Sequence, residues 1–501
     1  MKTALQRKDY YLLLIVILVT LIIFFPIFSA RYLYTDECLQ LWAYKPGTGF
    51  KMFIDQGRLI TEWMFIWLFG AIDKINEVTY IRVFSLAGWL LCLPLWYIIL
   101  KKGVAKEPAY QYLPFFTCLY LVTSLPFGVT IQWASCLELW LANTSGLAAG
   151  ALVYNAVQFN GKKIRIRSIH ALAGLILGII SLFTYQTGLG CLLIPFLLHY
   201  ISPHSSNKDR VIIAGMICFF LVYALYFPLF KLSMAMNDLG HNDRTDIYID
   251  PINKLAYFFS HPLERSFWFN ANVYEYSKVA RALYKVMLIG WMVLAFVRFG
   301  KEYGKAIKYI LVVLGVFLLA YFPGLIVKEN FASNRTMLAL NICVWLVCLE
   351  MALYFIKNRM VLAIGGVVVG LVLVITACYN HRIQFLKPVT DEYAALKKYI
   401  QQNYHPGINT IYVNLTPVDA FVKKYNIHQN MDEYGVPSST FEWTMIHLPK
   451  QLVWEITGSR KTAEQLSVEK WDALEAFVKA GGDTTANNIM VVDPVTIINQ
   501  Q

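Results

Sequence analysis

Apolar residues fall along this chain in blocks of about twenty, divided by short polar connectors. Each block is long enough to cross the hydrocarbon of a bilayer as a helix. The pattern predicts spans near 10–30, 79–100, 112–130, 136–158, 169–184, 186–202, 211–231, 283–299, 309–327, 336–356 and 361–379, eleven in all. The split near Tyr185 matters for topology. If 169–202 were one broken helix, every later loop would change sides.

The polar connectors carry their own signal. Alternate ones, KKGVAKE, GKKIRIR, HSSNKDR, RFGKEYGK and KNR, are short and rich in Lys or Arg. With Lys2, Arg7 and Lys8 they fall on one side, which the bias of basic residues toward the inner loops makes cytoplasmic. The outer side then receives the loop 31–78, the loop 232–282, the short loop 328–335 and a tail from 380. WMFIWLFGAI at 63–72 is too short to span and suits an interfacial or re-entrant helix. The N-terminal run from Tyr10 to Phe28 is long for a signal peptide and reads as an uncleaved span.

The tail changes character. DEYAALKKYIQQN has helical spacing, INTIYVNL and NIMVVD read as strands, and VEKWDALEAFVKAGG reads as a helix ending at glycine. The expected fold class is a polytopic α-helical membrane protein with a small extracytoplasmic α/β C-terminal domain. The expected boundary puts residues 1–380 in the membrane part and 381–501 in the tail.

Composition agrees with the pattern. The chain has 501 residues, 57% hydrophobic and 15% charged, against roughly 25% charged in a soluble protein. The net charge of +12 lies in the basic connectors, so it speaks for membrane orientation and against nucleic acid. Eight of nine cysteines sit in or at the ends of apolar runs, where they act as small hydrophobes; Cys38 is the exception. Neither a CxxC pair nor HExxH, a P-loop or GxGxxG after a strand is present. Every basic-side connector is short, which leaves no place for a cytosolic nucleotide-sugar domain. An activated substrate should come from the membrane.

The stretch YTDECLQLWAYKPGTGFKMFIDQGRLITE, Tyr34–Glu62, concentrates the candidate chemistry. Carboxylates at a membrane boundary are costly unless paired or useful. Asp36 and Glu37 suit a general base on a hydroxyl nucleophile, or a pair capping the next helix. Arg58 could clamp a phosphate with paired donors, or pair with Asp55 or Glu62. Arg335, with Lys328 nearby, lies where a lipid phosphate would sit, or snorkels to the interface. Glu138 is acidic within an apolar run, and Tyr185 with Gln186 marks a turn between spans. In the loop 232–282, His241, Asp243, Arg244, Asp246 and Asp250 leave a divalent metal open but match no specific motif. Phe267, Trp268 and Phe269 suit an interfacial aromatic belt or a platform for sugar or polyprenyl.

Three segments resemble the GT-C superfamily of polyprenyl-phosphate-sugar glycosyltransferases, most nearly the O-antigen glucosyltransferase (Gtr-type) group. YTDECLQLW followed by QGRLITEW is similar to that group's acidic pair and later Gly-Arg. FTYQTGLGCLLIPFLL is similar to its Tyr-Gln turn, and ENFASNRTMLAL to its Arg before a late span. Two positions depart: the pair is Asp-Glu where Asp-Asp is expected, and Gln40 stands where a basic residue is expected. The resemblance implies an inverting hexosyltransferase of a bacterial cytoplasmic membrane, with its active site outside. Asp36 would be the base and Glu37 a second catalytic or orienting carboxylate. Arg58, Arg335 and Lys328 would hold the donor phosphate, and Glu62, Glu138, Tyr185 and Gln186 would contact substrate. The partners would be a polyprenyl-phosphate sugar and a glycan or glycolipid acceptor. A polysaccharide polymerase or ligase would use a lipid diphosphate instead. A flippase or transporter would show charges trailing through the bilayer or internal repeats.

Overall fold

The computed structural model describes residues 5–499, apart from 105–109, 159–163, 204, 241–245, 249, 274–276 and 484–486. Of the loop candidates, His241, Asp243 and Arg244 lie outside the described residues. Among the described residues nine helices are long and apolar enough to cross a membrane. They are Arg7–Phe28, Ile75–Gly103, Ala134–Gln158, Arg167–Thr184, Lys208–Met236, Lys278–Phe299, Tyr303–Ala320, Asn334–Phe355 and Arg359–Asn403. A bent pair, Leu113–Thr123 and Leu125–Gln132, meets at 49°. The bend falls where Ser124 caps the second helix and Pro126 occupies its first turn. The protein is a polytopic helical membrane protein.

Ten of the eleven expected spans fall on these helices. The eleventh, 186–202, is not among them: Gln186–Ile201 is a shorter apolar stretch, below the length of the crossing helices, and is built differently. The chain breaks in an extended residue at Tyr185, then runs as a 3₁₀ helix Gln186–Leu193 of eight residues and an α-helix Ile194–Ile201 of eight. At about 2.0 and 1.5 Å of rise per residue, the two halves reach roughly 28 Å. The 3₁₀ half is thin because it lies against another backbone. A Cβ on Gly146 would come 2.2 Å from the Gly188 carbonyl, and one on Gly150 2.1 Å from that of Leu192. Small residues of this kind let membrane helices approach closely.

Contacts between helix ends gather described residues of three of the basic connectors, with Lys8, at one end of the bundle. Lys101 pairs with Asp9 at 3.0 Å and Lys8 reaches Gln111. Arg298 pairs with Glu350 and donates to the Ile201 carbonyl, while Lys308 pairs with Asp209. Gly103 abuts Leu198, which joins the two sets.

The other end carries the expected loops and the tail. Helix Leu59–Gly70 is amphipathic in placement: Trp63 and Trp67 are exposed while Phe65 and Phe69 are buried. The tail contains a three-stranded parallel sheet, Ser467–Lys470 beside Thr410–Val413 beside Ile489–Val492. Its first and third strands in chain order are the expected ones, while the second covers Val468–Lys470, the expected start of a helix. The boundary drawn at 380 falls inside a continuous helix, Arg359–Asn403, which passes through a π turn at Asn380–Leu386. The aromatic cluster of the loop 232–282 needs correcting. Phe267 and Trp268 are buried inside the bundle, not at a lipid interface.

Candidate active site

The chain leaves its first span, turns at Thr35–Asp36, and enters the short helix Glu37–Ala43. Two adjacent carboxylates thereby face opposite ways. Glu37 turns inward and is fully buried. It is ion-paired with buried Arg82, and it accepts N–H bonds from Tyr34 at 2.8 Å and Ala134 at 2.5 Å. Arg82 also lies over the Tyr32 ring at 3.6 Å and donates to its carbonyl. Burial raises the Glu37 carboxyl above its usual range, and Arg82 is the largest opposing influence. Asp36 is half-buried and lines a cavity. Its side chain makes no capping hydrogen bond to the helix that follows.

That cavity holds about 630 Å³. Its polar wall includes Asp36, Gln40, Ser135, Gln186, Asp432 and the two arginines Arg58 and Arg335. Its apolar wall is Tyr223–Phe230, from helix Lys208–Met236, facing Phe322–Val327. Gln40 is buried there, with its carbonyl oxygen taken by the Ser135 hydroxyl at 2.6 Å.

Arg58 pairs with neither Asp55 nor Glu62. It stacks on Tyr185 at 4.1 Å and donates to the Gln186 side chain at 3.2 Å. Gln186 in turn donates to the Gln56 carbonyl at 2.6 Å and contacts Tyr226. The expected Tyr-Gln turn and Gly-Arg loop thus meet in one network. Gly57 makes this possible. It sits at φ +78, and a Cβ there would lie 2.0 Å from the Tyr226 hydroxyl, which itself donates to the Gly57 carbonyl. Gly57→Ala is expected to destabilise the protein by about 1–2 kcal/mol from backbone alone, and to displace Tyr226 further. A thermal midpoint equal to wild type in detergent would refute this account of the loop.

Arg335 does not snorkel to lipid. It pairs with Asp432 of the tail at 3.0 Å and stacks on Trp133 and Phe331. The neighbouring Glu433 accepts the Asn334 and Arg335 N–H groups at 2.6 and 3.0 Å, satisfying the start of that helix. Glu138 is buried, with one carboxylate oxygen lacking a hydrogen-bond partner, and lies within the field of Arg58 and Arg335. It sits behind the wall, not on it.

Two expected residues are placed elsewhere. Glu62 is buried and braces the loop, accepting from Met52 and Phe53 N–H at 2.9 and 2.6 Å. Lys328 is exposed and off the cavity wall; its carbonyl accepts from Lys254 and its backbone N–H donates to the Asp246 carbonyl. Among the described residues no group of three His, Cys, Asp or Glu side chains is placed to hold a metal.

Models of known families, curated proteins and solved structures give no match to this chain.

The site therefore rests on its own geometry. Three carboxylates, Asp36, Glu329 and Asp432, with two guanidinium groups and several amides, line a shared space with an apolar flank. Such a set can deprotonate a hydroxyl, hold an anion and receive a lipid tail. Sequence reasoning missed Arg82, Asp432, Glu433 and the apolar wall. Arg82 had a visible signal, as a cation inside an apolar run. Asp432 had none, since nothing local links it to Arg335.

Proposed function

We propose that the protein is a membrane glycosyltransferase that moves one hexose from a polyprenyl-phosphate donor to a surface glycan or glycolipid acceptor. The observation that carries this reading is the composition of the cavity wall. Asp36, Arg58 and Arg335 share it with an apolar flank that suits a prenyl chain. The cavity lies at the end opposite the gathered basic connectors, which favours an outward-facing site. In this reading Asp36 takes the proton of the acceptor hydroxyl as that oxygen bonds to the sugar's anomeric carbon. The bond from that carbon to the phosphate breaks, and the configuration inverts. Arg58 and Arg335 neutralise the departing phosphate. Gln186 fixes Arg58, and Asp432 shares Arg335.

A transporter reading gains less support. Among the described residues, the buried ion pairs Glu37–Arg82, Asp9–Lys101 and Glu350–Arg298 sit at the two ends of the bundle.

Purified protein offered labelled polyprenyl-phosphate hexoses one at a time should consume one of them in the presence of acceptor. Use of a lipid diphosphate glycan instead would favour a polymerase or ligase. Arg335→Ala is expected to raise the donor KM about tenfold or more, the worth of a charge-assisted hydrogen bond. Arg335→Lys should recover part of that loss, because an ammonium cannot supply paired donors. Wild-type donor use by Arg335→Ala would remove Arg335 from the site.

A further inference from the structure

The turn carrying Asp36 is strained, and residues of the tail hold it. Thr35 adopts φ +45, a left-handed conformation that β-branched residues avoid. Such a conformation persists where its surroundings over-determine it. Here the surroundings come from 403 and 409 residues away in sequence. The Thr35 N–H donates to the Ser438 hydroxyl oxygen at 3.3 Å, and the Thr444 hydroxyl donates to the Thr35 carbonyl at 3.1 Å. The Ser438 hydroxyl in turn donates to the Leu33 carbonyl at 3.4 Å. Tyr34 donates to the Asp432 carbonyl at 2.8 Å.

A second layer fixes the first. The Glu392 carboxylate, at the start of the tail, accepts from the Ser438 and Ser439 N–H groups at 2.9 and 3.0 Å and from the Ser439 hydroxyl at 2.6 Å. Glu392, Ser438, Ser439 and Thr444 are all buried. None of the four lines the cavity. Their hydrogen bonds converge on the residue before Asp36.

We infer that the tail is a positioning part of the active site. Ser438, anchored by Glu392, and Thr444 clamp Thr35 and so aim the Asp36 carboxylate into the cavity. The inference rests on reading Asp36 as the base. It assigns the tail a role in turnover, where a module for gripping acceptor would act on affinity.

The test is a double-mutant cycle on the polyprenyl-phosphate sugar that the wild type uses. It measures kcat at saturating donor and acceptor, and both KM values, for Ser438→Ala, Asp36→Asn and the pair. Ser438→Ala should lower kcat about tenfold or more, the scale of cost for a misplaced catalytic group, with both KM values unchanged. In the Asp36→Asn background it should cost nothing further, because it acts only through Asp36. An equal fold-loss in both backgrounds would make Ser438 merely structural and overturn the inference. So would a raised acceptor KM with kcat intact. Thr444→Val removes the other contact and replaces Ser438→Ala in the cycle if that variant does not purify folded. Asp36→Asn turning over at the wild-type rate is a different failure, since it removes the base itself and the inference with it.

Discussion

Asp36→Asn is expected to lower sugar transfer by about 10²–10⁴-fold, the usual cost of losing a positioned base. The substitution keeps the shape of the side chain and removes its basicity. The other cavity residues are untouched, so donor binding should survive. Arg58 keeps its contacts to Tyr185 and Gln186, and Arg335 keeps Asp432. A single-turnover assay with labelled donor would read the chemical step, and retention of labelled polyprenyl-phosphate sugar would read binding. The neighbouring carboxylate makes the contrast. Glu37 is turned away from the cavity into a closed set of bonds with Arg82, Tyr34 and Ala134. Glu37→Gln should therefore act through stability, with turnover per folded molecule reduced far less. Were both variants to transfer sugar at the wild-type rate, the cavity would not be the active site.

The membrane architecture was legible because apolar length is a direct physical requirement of the bilayer. The break at Tyr185 was legible through the basic connectors, since one broken helix over 169–202 would move every later loop to the other side. What the pattern could not reveal was how the stretch Gln186–Ile201 is built. That depends on the 3₁₀ geometry and on Gly146 and Gly150 lying against the Gly188 and Leu192 carbonyls, a property of two segments together. The tail showed its strands Thr410–Val413 and Ile489–Val492 through β-branched runs. Strand Ser467–Lys470 was hidden, because SVEK at an edge, with most of its side chains exposed, reads equally as the start of a helix.

The site was legible in part. Asp36, Arg58, Tyr185, Gln186 and Arg335 were singled out one by one, and the fold brings all five to one cavity wall. Asp36, Arg58 and Arg335 had been marked by one rule, that polar groups at a membrane boundary need a partner or a use, and Tyr185 with Gln186 as a turn between spans. The rule finds such groups but does not say which explanation applies. Glu62 and Glu37 met it as braces, each accepting two backbone N–H bonds. Separating a brace from a reactive carboxylate takes knowledge of which way a side chain faces. For Asp36 and Glu37, adjacent on one turn, that is decided by partners far off in sequence: Arg82, Ser438 and Thr444.

Removing Arg82 should be among the most destabilising single changes in the protein. Arg82→Met leaves the Glu37 carboxylate buried with two backbone donors and no counter-charge. Breaking a buried pair from one side typically costs about 3–5 kcal/mol, because the remaining charge stays desolvated. The loss should appear as a large drop in the thermal midpoint of detergent-purified protein. Arg82→Met combined with Glu37→Gln should regain much of it, since replacing both charges is often near neutral. The pH dependence gives an independent check. Burial already raises the Glu37 carboxyl with Arg82 present, and losing Arg82 raises it further. A group whose pKa is higher folded than unfolded favours the folded state at low pH and loses that contribution as pH rises through the folded value. The deficit of Arg82→Met relative to wild type should therefore shrink as pH falls and grow as it rises. The double variant, which has no carboxyl at that position, should show no such trend. A midpoint for Arg82→Met equal to wild type at neutral pH would mean that the pair does not hold the turn on which Asp36 sits.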